Sequence, residues 1–376
     1  MSKIVILGCG AMGGPMAIDL CKDPGCQVVS VDVNRESLER LAREHPIQTR
    51  VEDLSTPEGV TRAVEGADLV IGSVPYSIGY AMLEGAIRAG KNIVDISYFL
   101  EDPFGLDDLA KEKGVTAVVD CGLAPGMANI ILGDHTRKMK VTRYECYVGG
   151  FPKAKDALFG HKSAFPALEA LEELADPGNW VEDGELIVEP MLDETAMIDF
   201  EKVGPLACIN SDGLRTLLRT MDIPDMFEKT LRYPKHVELM RTLRDAGFLD
   251  RTPIQVNGAS VRPLDVTASL LSPFFEYQPG DADVTVMRLV ISGEEDGKPT
   301  TYTYELYDEY DPATDTLSMA RTTGYTCTAV ARLVLDGVYS QKGICPPEFV
   351  GLTDGCRERV DKYLDDRGVR CQMQRP

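Results

Sequence analysis

The chain has 376 residues, enough for two domains, and its 44% apolar and 26% charged composition is that of a folded globular protein. A formal net charge of −21 leaves no basic face for phosphates, which argues against nucleic acid and against anionic membrane surfaces. The cysteines form no CxxC pair, the histidines are few, and no apolar run is long enough for a membrane span. Free thiols, no metal centre and a cytoplasmic location are therefore expected.

The first third reads as alternating strand and helix. Residues 3–7 form a buried strand, followed by a glycine turn and a helix through about residue 20. A second strand at 27–32 precedes a helix at 35–44 with Leu38, Leu41 and Ala42 on one face. Strands at 68–74 and 92–96 flank a helix at 78–89, and a helix at 105–113 leads to a strand at 115–120. Such alternation specifies a parallel sheet covered on both faces. Beyond Pro125 the pattern changes. Residues 143–148, 186–189 and 284–291 alternate like half-exposed strands, and Asp296-Gly297 marks a hairpin turn between 284–292 and 300–307. Helices are expected at 213–221, 236–246 and 264–275, then at 322–335 and 353–366, the last stopped by Gly368. The second domain is therefore α+β.

Gly8-Cys9-Gly10-Ala11-Met12-Gly13 matches GxGxxG between a hydrophobic strand and a helix. The first glycine makes the tight turn, the second admits a pyrophosphate against backbone, and the third lets helix and strand pack. The helix N-terminus supplies N–H groups to the phosphates. Asp32 ends the second strand, where a carboxylate accepts bonds from the adenine-ribose hydroxyls and repels the 2′-phosphate of NADP, so NAD is favoured over NADP. Val33 follows it, and Arg35 is near enough to soften that repulsion. Asp53 is either an adenine contact or a solvated loop acid. Val74, Pro75 and Tyr76 complete the expected cofactor set, Tyr76 through its ring or backbone.

Six segments together carry a resemblance: Val118-Val-Asp-Cys-Gly-Leu-Ala-Pro-Gly-Met-Ala-Asn129, Asp95-Ile-Ser-Tyr98, Tyr147-Val-Gly-Gly-Phe-Pro152, Ser211-Asp-Gly-Leu-Arg-Thr216, Lys229-Thr-Leu-Arg-Tyr233 and Ala320-Arg-Thr-Thr-Gly-Tyr325. The chain resembles the saccharopine dehydrogenase family, and within it the L-lysine 6-dehydrogenase branch. The resemblance implies an α/β fold: a Rossmann doubly wound parallel sheet plus an inserted α+β domain with a mixed sheet that supports a homodimer. It divides the chain into a nucleotide domain at 1–124, a substrate domain at 125–321, and a C-terminal helical segment at 322–376 returning to the first. Saccharopine-forming members carry Gly-Leu-Asp-Pro-Gly at the turn where this chain has Ala124.

Oxidising an amine to an imine needs the free amine, a carbon held against the nicotinamide, and a place for protons. Tyr98 and Asp120, at C-terminal ends of strands, and His236, with an intrinsic pKa near neutrality, are the catalytic candidates. Arg215 is the candidate for the substrate carboxylate, with Arg232 and Tyr233 as weaker ones. Cys121 lines the same region, with packing the favoured role. These residues suit an NAD-dependent dehydrogenase acting on CH–NH2 of a small amino acid, L-lysine first. The alternatives are a saccharopine or carboxyspermidine-type reductase and a non-enzymatic NAD sensor, which would need the glycines and Asp32 but none of the residues for chemistry.

Overall fold

The computed structural model describes residues 1–155, 158–193 and 195–374; residues 375–376 of the expected C-terminal segment lie outside the described residues. The chain divides into two compact units, Met1–Lys138 with Ala320–Arg370, and Met139–Met319 with the residues from Cys371 onward.

The first unit opens β1 (Ser2–Leu7), α1 (Gly13–Cys21), β2 (Cys26–Asp32), α2 (Arg35–Glu44), β3 (Gln48–Val51), α3 (Pro57–Ala63), β4 (Leu69–Gly72), α4 (Tyr76–Arg88), β5 (Ile93–Asp95), α5 (Asp107–Glu112), β6 (Thr116–Val118) and α6 (Met127–Thr136). All of its strand pairs are parallel, and β1 lies between β2 and β4, which makes the edge of the sheet at that point a topological switch. Apart from the largely exposed edge strand β3, the strands are short, mostly apolar runs buried on both faces. Val5, Leu7, Val70, Ile93 and Ala117 share one core with Met82, Leu83 and Ala86 of α4. Each fully buried aliphatic side chain of this kind contributes about 1.5–3 kcal/mol.

The second unit contains β7 (Lys140–Pro152), α7 (Ala167–Ala175), β8 (Pro177–Glu182), β9 (Glu185–Pro190), β10 (Ala196–Phe200), β11 (Gly204–Asn210), α8 (Leu217–Thr220), β12 (Asp225–Arg232), α9 (Pro234–Asp245), the hairpin β13 (Ile254–Val256) and β14 (Ala259–Val261), α10 (Pro263–Phe275), β15 (Asp283–Glu295) and β16 (Lys298–Glu309). Its large sheet is mixed: β12 and β7 run parallel, and β7, β15 and β16 form long antiparallel ladders. The β15–β16 turn is the expected Asp296-Gly297, with φ +51° and +76°, the pair of positive angles that a tight hairpin demands. Helices α7, α9 and α10 bury Leu171, Met240 and Leu264 in a shared core.

The chain then re-enters the first unit as α11 (Tyr325–Leu335), β17 (Gly343–Cys345), α12 (Pro347–Gly351) and α13 (Cys356–Asp365), before β18 (Cys371–Gln374) pairs antiparallel with β16. The first unit thus runs on past residue 124 through α6, whose Gly133 packs against α12: a methyl group there would come within 2.2 Å of Glu348 O. The residues from Cys371 to Gln374 are a strand, not part of a helical segment.

The parallel sheet and the mixed sheet are both as expected. The helix expected at 213–221 is only Leu217–Thr220, because Arg215 takes φ +46° and Gly213 lies where a methyl group would meet Glu228 Oε1 at 1.9 Å. The helix expected from 353 begins at Cys356, after Gly355 at φ +73°.

Candidate active site

In the first unit, the three glycines of the β1–α1 turn have three different reasons to be glycine. Gly8 sits at φ +103°, and a methyl group there would lie 1.9 Å from Ser73 O. At Gly13 a methyl would lie 2.0 Å from Gly8 O, so helix and turn can only meet without a side chain. At Gly10 it would meet nothing within 4 Å, so the backbone is bare toward open space. Helix α1 has no side-chain cap at Met12 and no acid in its first turn. Bare backbone beside an uncapped helix start is what a pyrophosphate needs, and Ala11 and Met12 lie on that rim.

Asp32 is held through both carboxylate oxygens. One carboxylate oxygen accepts from Cys9 N–H at 2.6 Å and the other from Asn34 N–H at 2.8 Å, which ties the end of β2 to the glycine turn. Each oxygen keeps a further acceptor site for a ribose hydroxyl. Val33 is 63% exposed beside it, an apolar surface for an adenine ring. Asp53 instead binds Ser55 through its hydroxyl and N–H, which holds the carboxyl below its ordinary range, in an exposed turn leading to α3. Val74 N–H donates to Ser97 Oγ at 3.0 Å, joining the loops after β4 and β5, while Pro75 is exposed and Tyr76 half-buried at the start of α4.

Tyr98 is 41% exposed after β5, and Asp120 is buried at φ +52° after β6. Both lie beyond the C-terminal ends of strands in the half of the sheet on the far side of the switch from β2 and β3. Cys121 is fully buried, and burial drives its thiol far up, so it packs rather than reacts. Its turn closes on itself: Gly122 N–H donates to Pro125 O at 3.0 Å, and Gly126 N–H to Asn129 Oδ1 at 3.1 Å.

In the second unit, β12 ends at Arg232 and α9 starts at once, placing Arg232, Tyr233 and His236 together. Arg232 is buried. Its Nη1 donates to Leu231 O at 3.0 Å, Glu173 Oε2 lies 3.9 Å from Nη2, and Nε has no partner. Tyr233 donates its hydroxyl to Pro152 O at 3.1 Å, which makes it a tie within the fold. His236 Nδ1 donates to Phe159 O at 3.2 Å, leaving Nε2 a buried acceptor without a partner, and its ring stacks on His161 at 4.5 Å. Burial first, and Arg232 second, push the His236 pKa down to about 3. A base poised near neutrality is therefore not what this histidine is: the ring stays neutral across the physiological range. Arg215 lies in the turn after β11, half-buried and left-handed, and not at a helix start.

Two features escaped the sequence. In the sequence Asp95 stands out only as part of a motif, yet it is a wholly buried acid at the end of β5. His161 follows Gly160 in a loop with no periodicity to announce it, and its ring contacts with His236 and Phe275 give it a place.

The profile of the saccharopine dehydrogenase C-terminal domain matches residues 122–369, and that of the saccharopine dehydrogenase NADP binding domain matches residues 4–118. The chain belongs to the saccharopine dehydrogenase family. It is accordingly an oxidoreductase with a pyridine-nucleotide-binding domain. A saccharopine dehydrogenase [NADP(+), L-glutamate-forming] of Pyricularia oryzae is 22% identical over 98% of both chains. A carboxynorspermidine synthase of Vibrio cholerae is 21% identical over 74% of this chain and 71% of that one. Apo saccharopine dehydrogenase (L-Glu forming) from Saccharomyces cerevisiae has the same fold, with a TM-score of 0.81 at 19% identity, covering 100% of this chain and 99% of that one. Among the described residues, no helix is long and apolar enough to cross a membrane.

Proposed function

We propose that this family member oxidises the terminal amine of a small amino acid, L-lysine foremost, to an imine with NAD as hydride acceptor, and that water then hydrolyses the imine to 2-aminoadipate 6-semialdehyde and ammonia. The observation that carries the reading is the acidic wall that the buried carboxyls of Asp95 and Asp120 form at the ends of β5 and β6, with Tyr98 after β5 and Ala124 in the turn that follows β6. An ammonium substrate is drawn to such a wall, and its proton has an acceptor there. When bound, the nicotinamide supplies the hydride acceptor; Gly8, Gly10, Gly13 and the start of α1 would hold its phosphates and Asp32 the adenine ribose. Asp32 also supports NAD over NADP, since a second anion beside it would be repelled. In the second unit Arg232 is the better carboxylate holder than Arg215: it is buried and keeps an unused Nε–H, so an incoming carboxylate replaces no water-exposed bond. His236, neutral, would accept a hydrogen bond at Nε2.

The names of the relatives support a second reading, the cleavage or formation of a secondary amine of the saccharopine or carboxynorspermidine type, with NADP. Purified protein given L-lysine and NAD separates the two. Ammonia and NADH are expected in equal amounts, with saccharopine poorer by roughly a hundredfold, as when charged groups lack partners. Turnover of saccharopine but not of lysine, or a tenfold preference for NADP, would overturn the first reading.

A further inference from the structure

Asp95 differs from the other buried acids of the first unit. Asp19 receives Arg367 Nε at 2.6 Å and the hydroxyls of Tyr363 and Thr328, and Asp134 receives Lys138 and Arg357. Asp95 is 0% exposed, accepts from Ser97 N–H at 2.8 Å through Oδ1, and has no partner at Oδ2. No ion pair reaches it among the described residues. It is also deliberately accommodated: a methyl group on Gly72 of the neighbouring strand would come within 2.3 Å of its Oδ1 and 2.6 Å of Met82.

The titratable groups that face it come from each adjoining element. Asp120 lies after β6; Cys121 follows it, with its N–H on Asp95 O at 2.9 Å; Cys327 faces it from α11. Burial raises both thiols far above neutrality, so they remain uncharged. No cation answers the Asp95 carboxylate, and burial, with Asp120 adding to it, raises its pKa to about 7. An acid in that setting is neutral until a positive charge arrives.

The place of Asp95 in the sheet says which charge that is. In a doubly wound sheet the dinucleotide spans the switch point. The strands beyond β1 on the β2 side take the adenosine half, and those on the β4, β5 and β6 side take the nicotinamide half. The oxidised nicotinamide ring is a cation, and the reduced ring is neutral. We propose that Asp95 is the charge partner of the nicotinamide ring, ionised when the oxidised ring binds and protonated beside the reduced one, so that binding of the oxidised cofactor releases a proton from Asp95 Oδ2 to solvent. The inference rests on the pyridine-nucleotide site of the first unit and not on the identity of the amine. No bond to carbon changes in the step: one O–H bond breaks, and the proton leaves to buffer. Discrimination between the two redox forms of the cofactor then varies with pH through this one side chain.

Calorimetric titration of the protein with NAD and with NADH, each in two buffers of different ionisation enthalpy, counts the protons released. At about pH 6.5, NAD binding should release most of one proton and NADH binding none. The affinity for NAD should rise roughly three- to tenfold between about pH 6 and 8, as one linked proton requires. In Asp95→Asn, which keeps an acceptor for Ser97 N–H but cannot ionise, release should vanish and NAD affinity become flat with pH. Undiminished release in Asp95→Asn, or its disappearance in Asp120→Asn alone, would overturn the proposal. If Asp95→Asn does not fold, infrared difference spectra of the wild type decide. A protonated-carboxyl band should disappear with NAD and persist with NADH, and its persistence with both would overturn the proposal. Binding of neither nucleotide would overturn the nucleotide reading itself, a result distinguishable from binding without release.

Discussion

The two units solve the burial of polar groups in opposite ways. In the parallel sheet the strand interiors are almost wholly apolar, and polar side chains collect where strands end: Asp32, Ser97, Tyr98, Asp120. Among the described residues of this unit, the buried titratable group with an unpartnered atom is an acid, Asp95. In the mixed sheet the polar cluster lies inside, where Arg232, His161, His236, Glu173 and Tyr277 crowd together, and the unused atoms there sit mainly on basic groups. The first arrangement keeps an acid protonated and the second keeps imidazoles neutral, so the same physical cost of burying charge has opposite signs in the two regions.

The harshest test of the first unit separates its glycines. Gly13→Ala drives a methyl group into backbone at 2.0 Å and should cost roughly 2–4 kcal/mol of stability along with nucleotide binding. Gly10→Ala meets nothing within 4 Å, so its melting temperature should stay at the wild-type value while NAD affinity falls about tenfold or more. Thermal unfolding with a nucleotide titration checks both; equal loss of stability in the two variants would deny that Gly10 faces a ligand.

The opposite signs give a second test, in pH. The folded state holds the Asp95 proton up to about pH 7, whereas an unfolded aspartate releases it near 3.8, so the contribution of this group is present at low pH and lost as pH rises through that window. His236 behaves in reverse. Unfolded histidine takes up a proton near 6.5 and the folded ring only at about 3, so stability is present above 6.5 and lost as pH falls. Hydrogen exchange should therefore show β5 and β6 opening more readily at about pH 8, and α9 and α10 at about pH 5. Asp95→Asn should gain roughly 2–4 kcal/mol at about pH 8 without nucleotide, and His236→Phe about 2 kcal/mol relative to wild type at about pH 5. Parallel responses of the two regions would break the comparison.

The smallest expected effect concerns recognition alone. Arg232→Lys keeps a positive charge but loses the fork and the unused Nε–H, so KM for the amino acid should rise about tenfold with NAD affinity unchanged. Arg215→Lys should change KM less; a larger effect there than at Arg232 would restore the carboxylate to Arg215.

The contrast also governs what the sequence reveals. In the first unit the candidate residues Asp32, Tyr98 and Asp120 end or follow apolar strand runs, so they are found by finding where strands stop. Asp95 is equally visible as a strand-ending acid, but its lack of a partner is a fact about Gly72, Met82 and Cys327, which approach it only in the folded sheet. In the second unit the hairpin at Asp296-Gly297 was legible because turn chemistry is local. Helix α6 was hidden because the glycine-rich turn before it reads as irregular chain, and β12 because Asp225–Arg232 mixes charges with apolar residues. The burial of His236 was beyond reach, since it depends on Phe159, His161 and Phe275 from distant segments.

Helix α6 and helix α12 approach closely at reciprocal glycines, Gly133 against Glu348 and Gly351 against Ile130, where a methyl group on Gly351 would come within 2.1 Å of Ile130 O, and β17 supplies the strand that completes the sheet beside β6. The consequence is one of timing during synthesis. A ribosome that has made β1 through α6 has produced the candidate nucleotide loops but not the elements that cover β6, which emerge only after the whole of β7 through β16. Until then the edge of β6 carries unpaired backbone groups, the kind of surface that recruits other chains. The sheet that carries the candidate nucleotide site is therefore completed only once β17 has been made.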